Sequence, residues 1–232
     1  MAEAGPKRLV LLVEGHGDVQ AVPALVDRLL KERQPWDQLF LDRNAIRIGG
    51  VETLVGSDKN RGEWLRWLGV AALRRRIGAV LAILDGDAGA VEGRVFCAAL
   101  VAKVLAERSR AARGGELFSV ACVFARQEFE SWLIAGVDSL AGRALPDGRQ
   151  GIRAGTSSAD LDTETAPRDA KRWLSKRMVN GYKPTQDQAM LAEIVDLNAI
   201  RARNLRSFRR LESALDTLID AVRNGQPVIS PR

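Results

Sequence analysis

The chain contains one histidine, His16, one tyrosine, Tyr182, and two cysteines, Cys97 and Cys122. Each scarcity removes a class of chemistry. Zinc and redox sites need histidines and cysteines at short paired spacings, and two cysteines far apart in separate apolar runs form no such pair. Both are expected as reduced thiols in the core. Tyr182 is the sole candidate for a covalent tyrosyl link to DNA, but the chain is too short for the large gate that reaction requires, so packing or substrate contact is expected of it. Aromatic residues make up only 5% of the chain, and those present fall mostly at helical spacing, which reads as core or interface rather than base-stacking platforms. No apolar run is long enough to span a bilayer, and the N-terminus lacks the order of a signal peptide, which predicts a cytosolic protein. Gly15-His16-Gly17 is followed by Gln20 where a dinucleotide fingerprint needs its third glycine, and there is no Gly-x-x-x-x-Gly-Lys-Ser/Thr loop.

What is present is ample apolar material, 46% of 232 residues, enough for one large domain or a medium one with an appendage. The formal charge of +6 and pI near 9.8 favour polyanionic partners. Arg8 to Val13, Asn44 to Ile48, Ala79 to Leu84 and Leu117 to Phe124 read as strands, the first and the last two as compact apolar runs of the kind a sheet covered on both faces contains. Between them, Val19 to Arg33, Arg61 to Ile77 and Arg94 to Ala112 carry helical periodicity, with Asp18 placed to cap the first helix. This alternation predicts an α/β domain with a mainly parallel sheet flanked by helices, over 1–141. Residues 142–168, rich in Gly, Ser, Thr and Asp, are expected as an exposed loop. A helical extension over 169–232 follows, with helices at Pro167 to Met178, Gln186 to Val195 and Asn198 to about Val222, packed on the α/β domain.

In a parallel α/β sheet, ligands bind beyond the carboxyl ends of the strands. Glu14 follows the first strand, Asp85 and Asp87 the third, and Glu128 and Glu130 the fourth. Carboxylates gathered on one rim repel one another unless a cation lies between them, and hard oxygen donors with almost no histidine favour Mg²⁺ or Mn²⁺. Asp85-Gly86-Asp87 alone is ordinary turn vocabulary; its address at a strand end makes it a candidate metal site. His16, beside Glu14, could touch a metal or a phosphate or be a plain loop residue. Lys183 could pair with the carboxylates or a scissile phosphate, and Arg201, Arg203, Arg206, Arg209 and Arg210 could track a nucleic-acid backbone. An Asp-x-Asp phosphatase carries its motif after the first strand, and a phosphoacceptor receiver needs a lysine after a fifth strand; neither pattern is met.

Leu11-Leu12-Val13-Glu14-Gly15-His16-Gly17-Asp18 and Leu84-Asp85-Gly86-Asp87, with a βαβα interval between them, resemble the Toprim superfamily over roughly residues 7 to 136. Glu128-Phe129-Glu130-Ser131-Trp132 looks like the extra acidic element of its nuclease branch, the overcoming-lysogenization-defect proteins and related small bacterial Toprim-like proteins. The resemblance implies acid/base chemistry or metal contact for Glu14, Mg²⁺ ligation by Asp85 and Asp87, and further ligation by Glu128 and Glu130. It implies a nuclease acting on DNA or RNA, working with a separately encoded ATPase in phage defence or repair. A primase-type nucleotidyl transferase and a non-catalytic metal-binding regulatory subunit are the alternatives.

Overall fold

The computed structural model describes residues 5–55, 58–91, 94–162, 165 and 167–231. Its centre is a six-stranded sheet formed by β1 (Lys7–Val13), β2 (Leu39–Leu41), β3 (Ile46–Arg47), β4 (Ile77–Asp85), β7 (Ser119–Ala125) and β8 (Ile229–Ser230). The order is β2-β1-β4-β7-β8, β3 continues the β2 side of β1, and every pairing in this sheet is parallel. A separate antiparallel ribbon joins β5 (Ala90–Val91) to β6 (Arg94–Val95).

Strand side chains alternate between faces, and both faces are covered. Leu9, Leu11, Val13, Leu81, Ile83, Ala121 and Val123 pack against α1 (Asp18–Arg33), α4 (Glu130–Ala135), α5 (Ala170–Arg177), α6 (Ala189–Ile194), α7 (Leu197–Ala202) and α8 (Arg206–Arg223). Val10, Leu12, Val80, Ala82, Leu84, Val120, Cys122 and Phe124 pack against α2 (Asp58–Ala72) and α3 (Ala98–Arg108). No helix among the described residues is long and apolar enough to cross a membrane.

The parallel α/β architecture and the helical C-terminal region are as the sequence predicts; several boundaries differ for local reasons. The expected terminal helix is two, because Asn204 takes φ 54° in the left-handed region and stops α7. The described residues of 142–168 are irregular but not simply exposed. Leu145 and Ile152 are buried, Ile152 bridges to Met178, and the Arg203 guanidinium donates to the carbonyls of Ser158, Ala159 and Leu161. Cys122 is buried as expected, whereas Cys97 is exposed just ahead of α3.

Candidate functional site

β1, β4 and β7 end side by side. Because Val13 lies opposite Ile83 and Asp85 opposite Ala125, the residues that follow leave the sheet at a common rim. Glu14 Oε2 accepts the Asp85 N–H at 3.1 Å, and Asp85 Oδ1 accepts the Phe129 N–H at 2.9 Å, so each carboxylate keeps a second oxygen for another partner. A Cβ on Gly86 would stand 2.4 Å from Ala125 O and 2.7 Å from Arg126 O. The glycine between the aspartates is therefore required by close approach to the end of β7. Asp87, just past it, is exposed at the mouth.

Glu130 forms the floor at 1% exposure. Its Oε1 accepts the Tyr182 O–H at 2.9 Å, while Oε2 has no hydrogen-bond partner and lies 3.9 Å from Lys171 Nζ. Glu128 is also buried but already engaged: Oε2 accepts the Ala170 N–H at 2.9 Å at the start of α5, and Oε1 pairs with the Lys171 ammonium. On the β1 side, Asp18 Oδ2 accepts the Gly15 N–H at 2.8 Å and Oδ1 accepts the Gln188 amide at 2.8 Å. Asp18 thus lies in the first turn of α1, and the helix cap position falls on Gly17.

Burial and mutual repulsion dominate the electrostatics. Burial raises the Glu14 carboxyl from 4.5 to about 7, opposed by the Asp85 N–H and reinforced by Glu52, Asp87 and Asp18. Asp85 is pushed well above the usual carboxylate range by burial, then by Asp18 and Glu130, with Lys171 opposing. Burial likewise raises Asp87, with Glu128 adding to it, and raises Glu130 to about 7 against the pull of Lys171. For Lys171, burial works towards a lower value, but Glu130, Glu128 and Asp85 together hold the ammonium above its ordinary range.

The rim thus unites Glu14, Asp85, Asp87, Glu128 and Glu130. Lys183 is not part of it. Its side chain is exposed, and its backbone N–H donates to Asp187 Oδ2 at 2.7 Å; the lysine placed among the carboxylates is Lys171. His16 is exposed on the loop before α1. Arg201 is paired with Glu32 and Glu212, and Arg203 ties down the 158–161 segment, so both guanidinium groups already have partners within the chain. Arg206 and Arg210 line a separate cavity beside α3. Lys171 and Gln188 had no sequence signal, since each lies far along the chain from its partner. Among the described residues, no group of three or more His, Cys, Asp or Glu side chains is placed so that it could hold a metal ion.

Fold and rim together define a class: a parallel α/β protein whose strand ends carry a part-buried carboxylate cluster with Lys171 set against it. The chain belongs to the family described as a domain of unknown function, DUF4276, which matches residues 13–216. That span includes every rim residue from Glu14 to Gln188. No curated protein matches the chain.

Proposed function

We propose that this protein is a Mg²⁺-dependent phosphodiesterase of Toprim type that cleaves DNA or RNA in the cytoplasm. The observation that supports it is the gathering of Glu14, Asp85, Asp87 and Glu130 where the strands end, their carboxyls raised by burial first and by neighbouring carboxylates after it, with Glu130 Oε2 buried and without a hydrogen-bond donor. One ammonium does not neutralise that set, and its hard oxygens fit Mg²⁺ or Mn²⁺. Asp85 and Asp87 would hold the ion, with Glu14 beside them. When bound, the ion would polarise the phosphodiester and the attacking water. Burial raises Glu14 to about 7 in the metal-free protein; a cation held beside it would lower that value and keep the carboxylate ionised, able to accept a proton from the attacking water. Glu128 fixes Lys171, which keeps a positive charge beside Asp85 to favour the incoming phosphate. A separately encoded ATPase partner, in phage defence or repair, rests on the resemblance alone.

The reading is tested by incubating the protein with Mg²⁺ or Mn²⁺ and mixed nucleic acids, beside Asp85→Ala and Glu14→Ala. Shortened strands with the native protein and none with either variant are expected; cleavage unchanged by both substitutions would overturn the assignment. Lengthened strands in the presence of nucleotides would point instead to nucleotidyl transfer. One observation favours a non-catalytic regulatory subunit: Glu128, Lys171 and Tyr182 already satisfy part of the rim internally. Metal binding without turnover on any substrate would support it.

A further inference from the structure

A cavity of about 900 Å³ opens where α3 and α8 begin, beside the stretch of β7 that β8 leaves uncovered after Ala121. Lys103, Arg126, Arg206 and Arg210 line it against one carboxylate among the described residues, Asp162. Arg210 is half-buried and donates to Ser230 Oγ at 2.7 Å. Arg206 is exposed, and among the described residues neither of these two arginines pairs with a carboxylate. A part-buried guanidinium without a counter-anion is unfavourable, and burial correspondingly draws Arg210 below its ordinary value.

The backbone adds to this field. Ala98 and Ala99 of α3 and Arg206 and Ser207 of α8 all line the cavity, so two helix N-termini open onto it. Neither helix has a side-chain cap, and neither carries an acidic residue in its first turn. Arginine in the first turn of α8 opposes the helix dipole, an arrangement that an anion at this point would reverse. Phe96 and Phe124 meet edge to face, with centroids 5.5 Å apart, and supply an apolar wall.

We infer that this cavity binds a phosphorylated nucleoside, with the phosphate on Arg206 and Arg210 between the two helix starts and the base against Phe96 and Phe124. The volume suits a ligand of that size. A free mononucleotide and the 5′-phosphorylated end of a strand present the same chemistry. The inference stands apart from the chemistry proposed for the acidic rim, and its test contains no divalent ion.

Cys97 supplies the readout. It is exposed on the cavity wall, while Cys122 is fully buried and its thiol is pushed up to about 12. The full chain in EDTA is alkylated with iodoacetamide, and the rate at Cys97 is followed by mass spectrometry. The probes are AMP, adenosine, inorganic phosphate, and one oligonucleotide with either a 5′-phosphate or a 5′-hydroxyl. Saturable protection by AMP is expected, with adenosine ineffective. Arg206→Gln should raise the half-protecting AMP concentration about tenfold through loss of a charge-assisted contact. Arg206 is exposed, so this variant folds even if Arg210→Gln does not. Protection by the 5′-phosphorylated strand alone would support the strand end as ligand, and protection by AMP alone the free nucleotide. Equal protection by adenosine, no protection by any phosphate probe, or protection unchanged in Arg206→Gln would overturn the inference. Inorganic phosphate acting as well as AMP would overturn the role of the two phenylalanines. Loss or survival of nuclease activity in Asp85→Ala leaves each of these outcomes unchanged.

Discussion

Replacing Glu130 by glutamine should stabilise the metal-free protein at alkaline pH. The carboxyl titrates at about 7 in the fold against an ordinary 4.5, so ionising it there is unfavourable by about 3 kcal/mol. For an acid raised in this way, the stabilising contribution is complete below the unfolded value and is lost as pH rises through the folded one. The native protein therefore sheds that stability between roughly pH 4.5 and 7, and the variant does not. Glutamine keeps an oxygen for the Tyr182 hydroxyl, but its amide nitrogen replaces Oε2 in a buried place facing Lys171, a loss of about 1–2 kcal/mol. The net gain at pH 8 in EDTA is then about 1–2 kcal/mol, or roughly 3–6 °C in Tm for a chain of this length. At pH 5 the sign should reverse. Thermal melts of both proteins at pH 5, 6, 7 and 8 measure it. A variant less stable than the native protein by the same margin at every pH would refute the reasoning, because it would mean that Glu130 enters the fold without an ionisation penalty.

Lys171→Met leaves Glu128 without its ammonium; since the lysine side chain is 43% exposed, a loss of about 1–2 kcal/mol by urea unfolding at pH 8 is expected rather than the larger value of a fully buried pair. Gly86→Ala drives a methyl group into two carbonyl oxygens of the β7 terminus and should lower stability by about 2–3 kcal/mol, with the Asp85–Phe129 contact disturbed in amide exchange. Arg203→Ala removes a guanidinium shared by three carbonyls; a loss of about 2–3 kcal/mol and new protease cutting within 142–168 are expected. Arg201→Ala breaks only part-exposed ion pairs and should shift stability by less than about 1 kcal/mol, with nucleic-acid affinity in a gel-shift assay unchanged.

The central strands were legible because their signal is local. Ala79 to Leu84 is apolar on both faces and can sit only inside a covered parallel sheet, and that fixes where Asp85 must emerge. β2 and β8 were not legible, since strands of two or three residues exist through their partners rather than through any pattern of their own. The same difference in range divides the site. Glu14, Asp85 and Glu128 could be placed on one rim from strand ends alone. Lys171 follows an irregular stretch, and its role depends on a contact 43 residues back along the chain. Arg201 and Arg203 resembled Arg206 and Arg210 as helical charge, because a charge pattern does not reveal which guanidinium already has a partner. Cys97 lies in an apolar run that reads as core, yet it marks the helix start that faces the cavity.

The position of Lys171 bears on how the molecule assembles. The three strands that bring the carboxylates together are complete once residue 125 is in place, but the ammonium that tempers their repulsion arrives with α5, and the hydroxyl of Tyr182 later still. A collapsed sheet lacking those segments would hold its acidic residues close together with no cation among them. Docking of the C-terminal helices is thereby energetically linked to the sheet, because it brings the Lys171 ammonium against Glu128 and Glu130 and so offsets repulsion on the rim.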